Sequence, residues 1–406
     1  MTHGFSQNRL ARIIPTLAAH YIDTGAIPGA LLMVWRRGVL AHLGLAGHID
    51  LERRTPVRED AIYRIYSMTK PVTSVALLML MEEGRIALDD PVARYIPGFA
   101  GLGVFAGGAD GNFATAAPAR PMLVVDLLCH TSGLTYDFHN RTPVDAAYRR
   151  LGVGAFATEG GLAGMVAQLE TLPLEFSPGE QWNYSVATDV AGYLVEKISG
   201  MRLGEFLARR VFQPLGMEDT DFFVPQQKLD RLATCYQVKD GRLVVQDDAR
   251  ASAFAASPKL ESGGGGLVGT AGDYMRFCRM LLNGGTLDRA QLLSPKTVAL
   301  MTMNHLPGGA QMTDMMASTS LFNETGYSGV GFGLGVSVTV DVPAARLPGS
   351  VGEFAWGGAA STAFFVDPKE DMAVVFMTQV LGAPDRVRLR RELRTLVYGA
   401  MTESFS

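Results

Sequence analysis

Strand-like segments crowd the two ends of this 406-residue chain, and helical periodicity fills most of what lies between. Gly29 to Trp35 (GALLMVW) reads as a strand, Arg36-Arg37-Gly38 as a turn, and Val39 to Gly47 as a second strand returning beside the first. At the other end, Gly331 to Val340, Glu353 to Trp356, Ser361 to Val366 and Met372 to Thr378 carry strand patterns, and a charged helix over Asp385 to Tyr398 follows them. Strands at both ends around a helical middle predict an α+β fold. One sheet is built from N- and C-terminal strands with flanking helices, and a mainly helical lobe is inserted between them. The length also exceeds what one hydrophobic core usually serves. We expect an α/β lobe from residues 1–90 and 320–406, a helical lobe from 91–319, and an active site in the cleft between them. Gly101 to Arg120 is rich in Gly and Ala and reads as a surface loop.

Composition narrows the function. Hydrophobic residues make up 48% and charged ones 19%, which excludes disordered and coiled-coil architectures. With 36 basic against 40 acidic side chains the formal charge is −4, so neither nucleic acid nor an anionic membrane is expected as a partner. The longest apolar run, Val75 to Met81, falls far short of the roughly 20 residues that cross a bilayer. Cys129, Cys235 and Cys278 lie far apart without a CxxC pair, which disfavours a disulfide framework or a zinc knuckle. The first residues lack the long apolar core of an export signal and read as an amphipathic helix, so a cytoplasmic location is expected. No cofactor or metal is implied.

Several familiar patterns lead nowhere. Gly264, Gly266 and Gly269 satisfy GxGxxG, but the preceding ASAFAASPKLES is no apolar strand. We read a flexible turn entering a helix over Ala271 to Leu282, not a dinucleotide site. GxSxG, HExxH and GxxxxGK[ST] are absent. His130, in LLCHTSGL, reads as a loop histidine bonded to backbone in preference to a catalytic base or ligand.

The segment Tyr66-Ser67-Met68-Thr69-Lys70-Pro71 carries the chemistry. A serine hydroxyl is a poor nucleophile until a neighbouring base takes its proton. On a helix, positions i and i+3 share a face, so SxxK at a first turn sets the Lys70 amine near the Ser67 hydroxyl. The unpaired N–H groups of a helix N-terminus can also stabilise an oxyanion. Pro71 is tolerated only in the first turn, which places the helix start at Ser67, with a stop near Gly84. Lysine is scarce, 7 residues against 29 arginines, and this is the chain's one SxxK. Arginine does not give up its proton, whereas a partly buried lysine can be tuned into a base. Taken alone, the same residues also fit an N-cap serine beside a solvated lysine.

Five segments in order widen the view: SMTK (Ser67–Lys70), LLCHTSGL (Leu127–Leu134), FSPGEQWNYSVATDVAGYLVEKISG (Phe176–Gly200), PLGMEDT (Pro214–Thr220) and WGGAAST (Trp356–Thr362). Together they resemble the serine β-lactamase-like superfamily over nearly the whole chain. Within it the sequence is most similar to family VIII carboxylesterases, relatives of class C β-lactamases and DD-peptidases. The resemblance implies an antiparallel sheet from both termini with flanking helices, plus a helical lobe. It implies Ser67 as the acylated nucleophile, Lys70 as its neighbour in the first motif, and Tyr184, in Tyr184-Ser185-Val186, as a proton acceptor. A phenol ionises near pH 10, so Tyr184 could serve only with a cation such as Lys70 favouring the phenolate. Which of this coupled pair takes the proton stays open. The turn-rich SPGEQWNYS points to a Tyr184 more exposed than a core tyrosine, with a packed aromatic as the alternative.

Trp356-Gly357-Gly358 matches the third motif, which in lactamases and peptidases is Lys/His-Thr-Gly on an edge strand lining the cleft. Its glycines would let substrate approach the backbone, unless the segment is a bulge with a packed indole. The resemblance implies an oxyanion hole made by the N–H groups of Ser67 and Ala359. Two departures bear on substrate. Val186 stands where lactamases carry an asparagine that contacts the substrate amide. Trp356 replaces a lysine that binds the β-lactam carboxylate, and an indole supplies one donor and no charge. Both favour a neutral ester. Trp356, Gly357, Gly358 and Val186 are thus expected to bind substrate, with Met122, Phe138 and the segment Tyr136–Gly161 as pocket walls. The implied activity is a cofactor-free serine carboxylesterase acting on short-chain or aryl esters. The alternatives are acyl transfer to an alcohol, a weak β-lactamase or DD-peptidase, and a non-catalytic binding or scaffold relative. Oligomeric state is not legible.

Overall fold

The computed structural model describes residues 3–109, 111–317 and 328–405. Eight strands form one antiparallel sheet. They are β1 (Gly29–Arg36), β2 (Val39–Asp50), β3 (Thr55–Pro56), β4 (Val330–Phe332), β5 (Ser337–Thr339), β6 (Phe354–Gly357), β7 (Ala363–Asp367) and β8 (Met372–Met377). Their spatial order is β4-β5-β6-β7-β8-β1-β2-β3, so the two ends of the chain meet where β1 pairs β8, with Leu31 opposite Met377 and Leu32 opposite Phe376. Successive side chains in a strand point to opposite faces. Leu31, Met33, Val375 and Met377 therefore enter one core, and Leu32, Val34, Val374 and Phe376 another.

Four helices position the site: α1 (Thr69–Glu82), α2 (Ala187–Ser199), α3 (Ala271–Leu282) and α4 (Arg386–Gly399). Every residue of α1 from Thr69 to Leu80 is buried. A helix apolar on all sides must sit inside the molecule, and α1 packs against α2 in the larger core. α3 covers one face of the sheet through Tyr274 and Phe277, the Tyr274 ring lying 5.1 Å from that of Phe364. The other face takes Leu10, Ile13 and Leu17 from the N-terminal turns and Leu389, Leu393 and Val397 of α4, spaced four apart on one side of the helix.

Some elements depart from the sequence reading. The Gly101 to Arg120 stretch holds a hairpin, Val104–Ala109 paired with Asn112–Ala116, and not a plain loop. Its Gly and Ala content hides the alternation, of which only the Phe105–Phe113 ring contact at 5.8 Å is conspicuous. The stretch Gly331 to Val340 is a tight hairpin, β4 and β5, turned through Gly335 at φ 91°, and not one strand. α3 has the bounds expected and falls within the span assigned to the helical lobe, yet it packs on the sheet. The expected boundary at 319/320 lies outside the described residues. All three cysteines are buried and unbridged. Among the described residues no helix is long and apolar enough to cross a membrane.

Candidate active site

Ser67 stands on a 3-10 turn, Tyr66–Met68, that leads into α1. The α-helix itself begins at Thr69, two residues later than expected, with Lys70 and Pro71 in its first turn. Three hydrogen bonds hold this entry. The Ile65 N–H donates to the Leu267 carbonyl (3.1 Å), the Leu267 N–H to Thr69 Oγ1 (3.1 Å), and the Tyr274 hydroxyl to the Met68 carbonyl (2.9 Å). Tyr66, just before the serine, has φ 43°, a left-handed conformation that residues with a Cβ seldom adopt. The packing around it maintains that strain next to the reactive hydroxyl.

Two of the expected partners converge on Ser67. The Tyr184 hydroxyl donates to Ser67 Oγ at 2.5 Å. Lys70 Nζ lies 3.5 Å from the same oxygen and donates to the Gly264 carbonyl (2.7 Å) and the Tyr136 hydroxyl (3.0 Å). It also sits 4.4 Å from the centroid of the Tyr184 ring. Tyr184 is only 5% exposed, which corrects the expectation of an exposed tyrosine. Its ring is caged by His130 (4.9 Å), Tyr136 (5.3 Å), Trp356 (5.7 Å) and Trp182 (6.2 Å). Its backbone is fixed by the Asn183 N–H on the His130 carbonyl (2.9 Å), the Asn183 side-chain amide on the Leu134 carbonyl (2.9 Å), and His139 Nε2 on the Tyr184 carbonyl (2.7 Å).

The electrostatics separate the roles of amine and phenol. Burial pushes the Lys70 ammonium from 10.5 down to about 7, against the opposing pull of the Asp189 carboxylate. Burial pushes the Tyr184 phenol up, against the smaller effects of its bond to Ser67 and of the neighbouring Trp356 indole, whose N–H makes no well-formed hydrogen bond. Of the two options left open by the sequence, a Tyr184 phenolate is therefore the disfavoured one. The amine reaches its basic form near neutral pH, and the phenol stays protonated. A neutral Lys70 that donates its two hydrogens to Gly264 and Tyr136 keeps its lone pair for the third direction, where Ser67 lies.

Three partners were missed by sequence reasoning. Tyr136 was placed only as a pocket wall. Asp189, near the start of α2, accepts from Ser262 Oγ (2.5 Å) and the Gly264 N–H (3.0 Å), and its pKa is raised by burial against the pull of Lys70. Gly264 belongs to the glycine run read as a flexible turn, and here it is packed. A Cβ at Gly264 would come within 2.5 Å of Asp189 Oδ2 and 3.0 Å of the Tyr136 hydroxyl. His130 caps the short helix Val124–Cys129 in a left-handed conformation. Its Nδ1 lies 3.3 Å from Ser185 Oγ, a side-chain contact in place of the expected backbone bond, and burial together with Lys70 keeps it neutral.

Over Ser67 opens a cavity of about 290 Å³. Tyr66, Tyr136, Phe138, Val153, Ala155 and Phe156 wall it, and Ser67, Tyr184, Asp189, Ser262 and Ala359 also line it. Of the expected walls, Phe138 and parts of 136–161 take their places, whereas Met122 is buried elsewhere. The four residues expected to bind substrate directly are buried and do not line this cavity. Trp356 turns its indole into the aromatic cluster beside Phe332 (5.2 Å). Val186 precedes α2 and donates its N–H to the Thr135 carbonyl (3.2 Å). Gly357 and Gly358 lie under the surface, and a Cβ on Gly358 would come within 2.4 Å of the Ile65 carbonyl. Only Ala359 of this segment reaches the cavity, and its N–H has no acceptor among the described residues. Among those residues no three His, Cys, Asp or Glu side chains converge as a metal site would require.

This arrangement of hydroxyl, buried amine and phenol can activate a nucleophile and move a proton. Residues 14–398 match the Beta-lactamase family. The chain belongs to that family. It is 38% identical over 383 residues to an uncharacterized protein of Mycobacterium tuberculosis, covering 91% of this chain and 92% of that protein. It is 32% identical over 390 residues to Esterase EstB of Burkholderia gladioli, covering 91% and 90% respectively. Among solved structures it resembles EstCE1, described as a hydrolase with promiscuous acyltransferase activity, with a TM-score of 0.80, 28% identity and coverage of 97% and 99%. The α+β fold with its antiparallel sheet is that of the β-lactamase and penicillin-binding-protein group.

Proposed function

We propose that the protein is a serine esterase that cleaves neutral short-chain or aryl esters through an acyl-enzyme on Ser67. One observation carries this reading: a serine hydroxyl within 2.5 Å of a phenol and 3.5 Å of a buried amine, at the floor of an aromatic-walled cavity. In this mechanism neutral Lys70 takes the Ser67 proton as Oγ attacks the ester carbonyl. The N–H groups of Ser67 and Ala359 receive the oxyanion. Tyr184, kept protonated by burial, gives its proton to the departing alkoxide and recovers it from the Lys70 ammonium. Water, deprotonated in turn by Lys70, then releases the acid. The similarity to Esterase EstB supports an ester as substrate, and a lining that among the described residues includes Asp137 and Asp189 but no arginine or lysine supports one without negative charge.

Wild type is expected to hydrolyse p-nitrophenyl acetate and butyrate, and Ser67→Ala to lose that activity. Equal rates for the two proteins would end the assignment. Acyl transfer to an alcohol is the second reading, favoured by the likeness to EstCE1. Ester product formed with an added acceptor alcohol would establish it, and nitrocefin turnover would instead reveal a β-lactamase. Three buried, unbridged cysteines are in keeping with the reducing interior of a cell, where we place the protein.

A further inference from the structure

Behind the third-motif strand, a half-buried arginine reaches the turn that carries Ala359. Arg390 lies on α4 beside Leu389, which packs on the sheet. Its Nη2 donates to the carbonyls of Gly358 (3.0 Å) and Thr362 (2.6 Å), spanning the turn between β6 and β7. The same turn is closed by the Gly358 N–H on the Thr362 carbonyl and the Ser361 N–H on the Gly358 carbonyl, both at 3.0 Å. Gly357 makes room for the guanidinium, whose central carbon would lie 2.5 Å from a Cβ at that position.

The Gly358 carbonyl and the Ala359 N–H are two ends of one peptide unit. In a trans peptide they point in opposite directions. A carbonyl turned back toward Arg390 therefore turns the Ala359 N–H forward, toward the cavity that Ala359 and Ser67 both line. A cation at the carbonyl end also polarises the amide, and charge-assisted bonds of this kind are the stronger ones. Away from water such a charge is weakly screened.

We propose that Arg390 is a positioning residue for ester cleavage: it orients and polarises the Gly358–Ala359 peptide so that its N–H receives the oxyanion. The proposal rests on the esterase reading above. Arg390 lies near enough to Tyr184 to favour its ionised form, and although burial lowers the guanidinium to about 9 it remains charged at neutral pH. The helix carrying it is anchored nearby. The Tyr398 hydroxyl bridges Glu353 (2.5 Å) and Asp367 (2.7 Å), and Arg394 pairs with Glu353 at 2.6 Å.

The test compares Arg390→Gln, Arg390→Met and Arg390→Lys in steady-state hydrolysis of p-nitrophenyl butyrate and in the rate of labelling by a fluorophosphonate. Gln and Met are expected to lower kcat and the labelling rate about 10- to 100-fold, less than outright loss of an oxyanion donor, with KM changed by less than about threefold. Lysine keeps a charged donor and is expected to recover most of kcat. Wild-type kcat in Arg390→Gln would overturn the proposal, as would an Arg390→Lys no faster than Arg390→Met. Should Gln and Met not fold, the lysine variant decides alone: a folded protein with kcat reduced 10-fold or more would overturn it. A wild type inert toward the ester would overturn the esterase reading itself, a result distinct from any of these.

Discussion

Replacing Lys70 with methionine should abolish activity and stabilise the protein. The ammonium is buried, and its folded-state pKa falls from 10.5 to about 7. That difference of about 3.5 units, at about 1.4 kcal/mol each, amounts to about 5 kcal/mol of destabilisation when the amine is protonated in both states. The sign follows from proton counting. Between pH 7 and 10.5 the unfolded chain binds a proton at Lys70 that the folded chain does not, so wild-type stability rises with pH across that window. The destabilisation is fully present below pH 7 and fades toward pH 10.5. At pH 7 it is still about 4 kcal/mol, and at pH 9.5 about 1 kcal/mol. Methionine removes the titration but leaves the Gly264 carbonyl and the Tyr136 hydroxyl without their donor, which takes back about 1–3 kcal/mol. Urea unfolding of wild type and Lys70→Met at pH 7 and pH 9.5 reads both quantities. The variant should be more stable at pH 7 by about 1–3 kcal/mol, and the gap should shrink by about 3 kcal/mol at pH 9.5. A gap that does not change with pH would mean that Lys70 stays charged beside Asp189 in the folded protein, and the account of it as a neutral base would be refuted.

The remaining expectations concern rate. With Lys70 as the base, kcat/KM rises with pH through an apparent pKa of about 7, the value to which burial brings the amine; an ascending limb found only above pH 9 would return the role to a Tyr184 phenolate. Tyr184→Phe should lower kcat by about 10²- to 10⁴-fold, the usual range for loss of a proton-transfer group, while the caged ring keeps the thermal midpoint close to wild type. Gly358→Ala forces a Cβ to within 2.4 Å of the Ile65 carbonyl. Circular-dichroism melts should show a loss of about 1–3 kcal/mol, together with a fall in kcat as Ala359 is displaced, and a variant with normal kcat would show that this backbone does not serve the reaction.

How much of this could be read in the sequence depends on whether the signal is local. The SxxK spacing is a property of one helical turn, so Ser67 and Lys70 come out adjacent whatever surrounds them. Strand patterns at both ends of the chain led to one sheet because β1 and β8 need each other's edges. The hairpin at Val104–Ala109 escaped notice because Gly and Ala strands lack the alternating bulk that marks a buried face. Tyr136, Asp189 and Gly264 lie far apart in sequence and meet only after folding, and no short motif links them. Motif resemblance assigns Trp356 and Val186 to positions along the chain, but where their side chains point depends on packing against Phe332 and at the start of α2, which no motif displays. The pKa values of amine and phenol are set by burial, which a sequence does not display.

Inactivation by a fluorophosphonate tests the nucleophile most directly, with the modified peptide identified by mass spectrometry. One phosphonyl group on Ser67, accumulating in step with the loss of ester hydrolysis, is the predicted result. An inactivated protein whose Ser67 is unmodified would contradict the account.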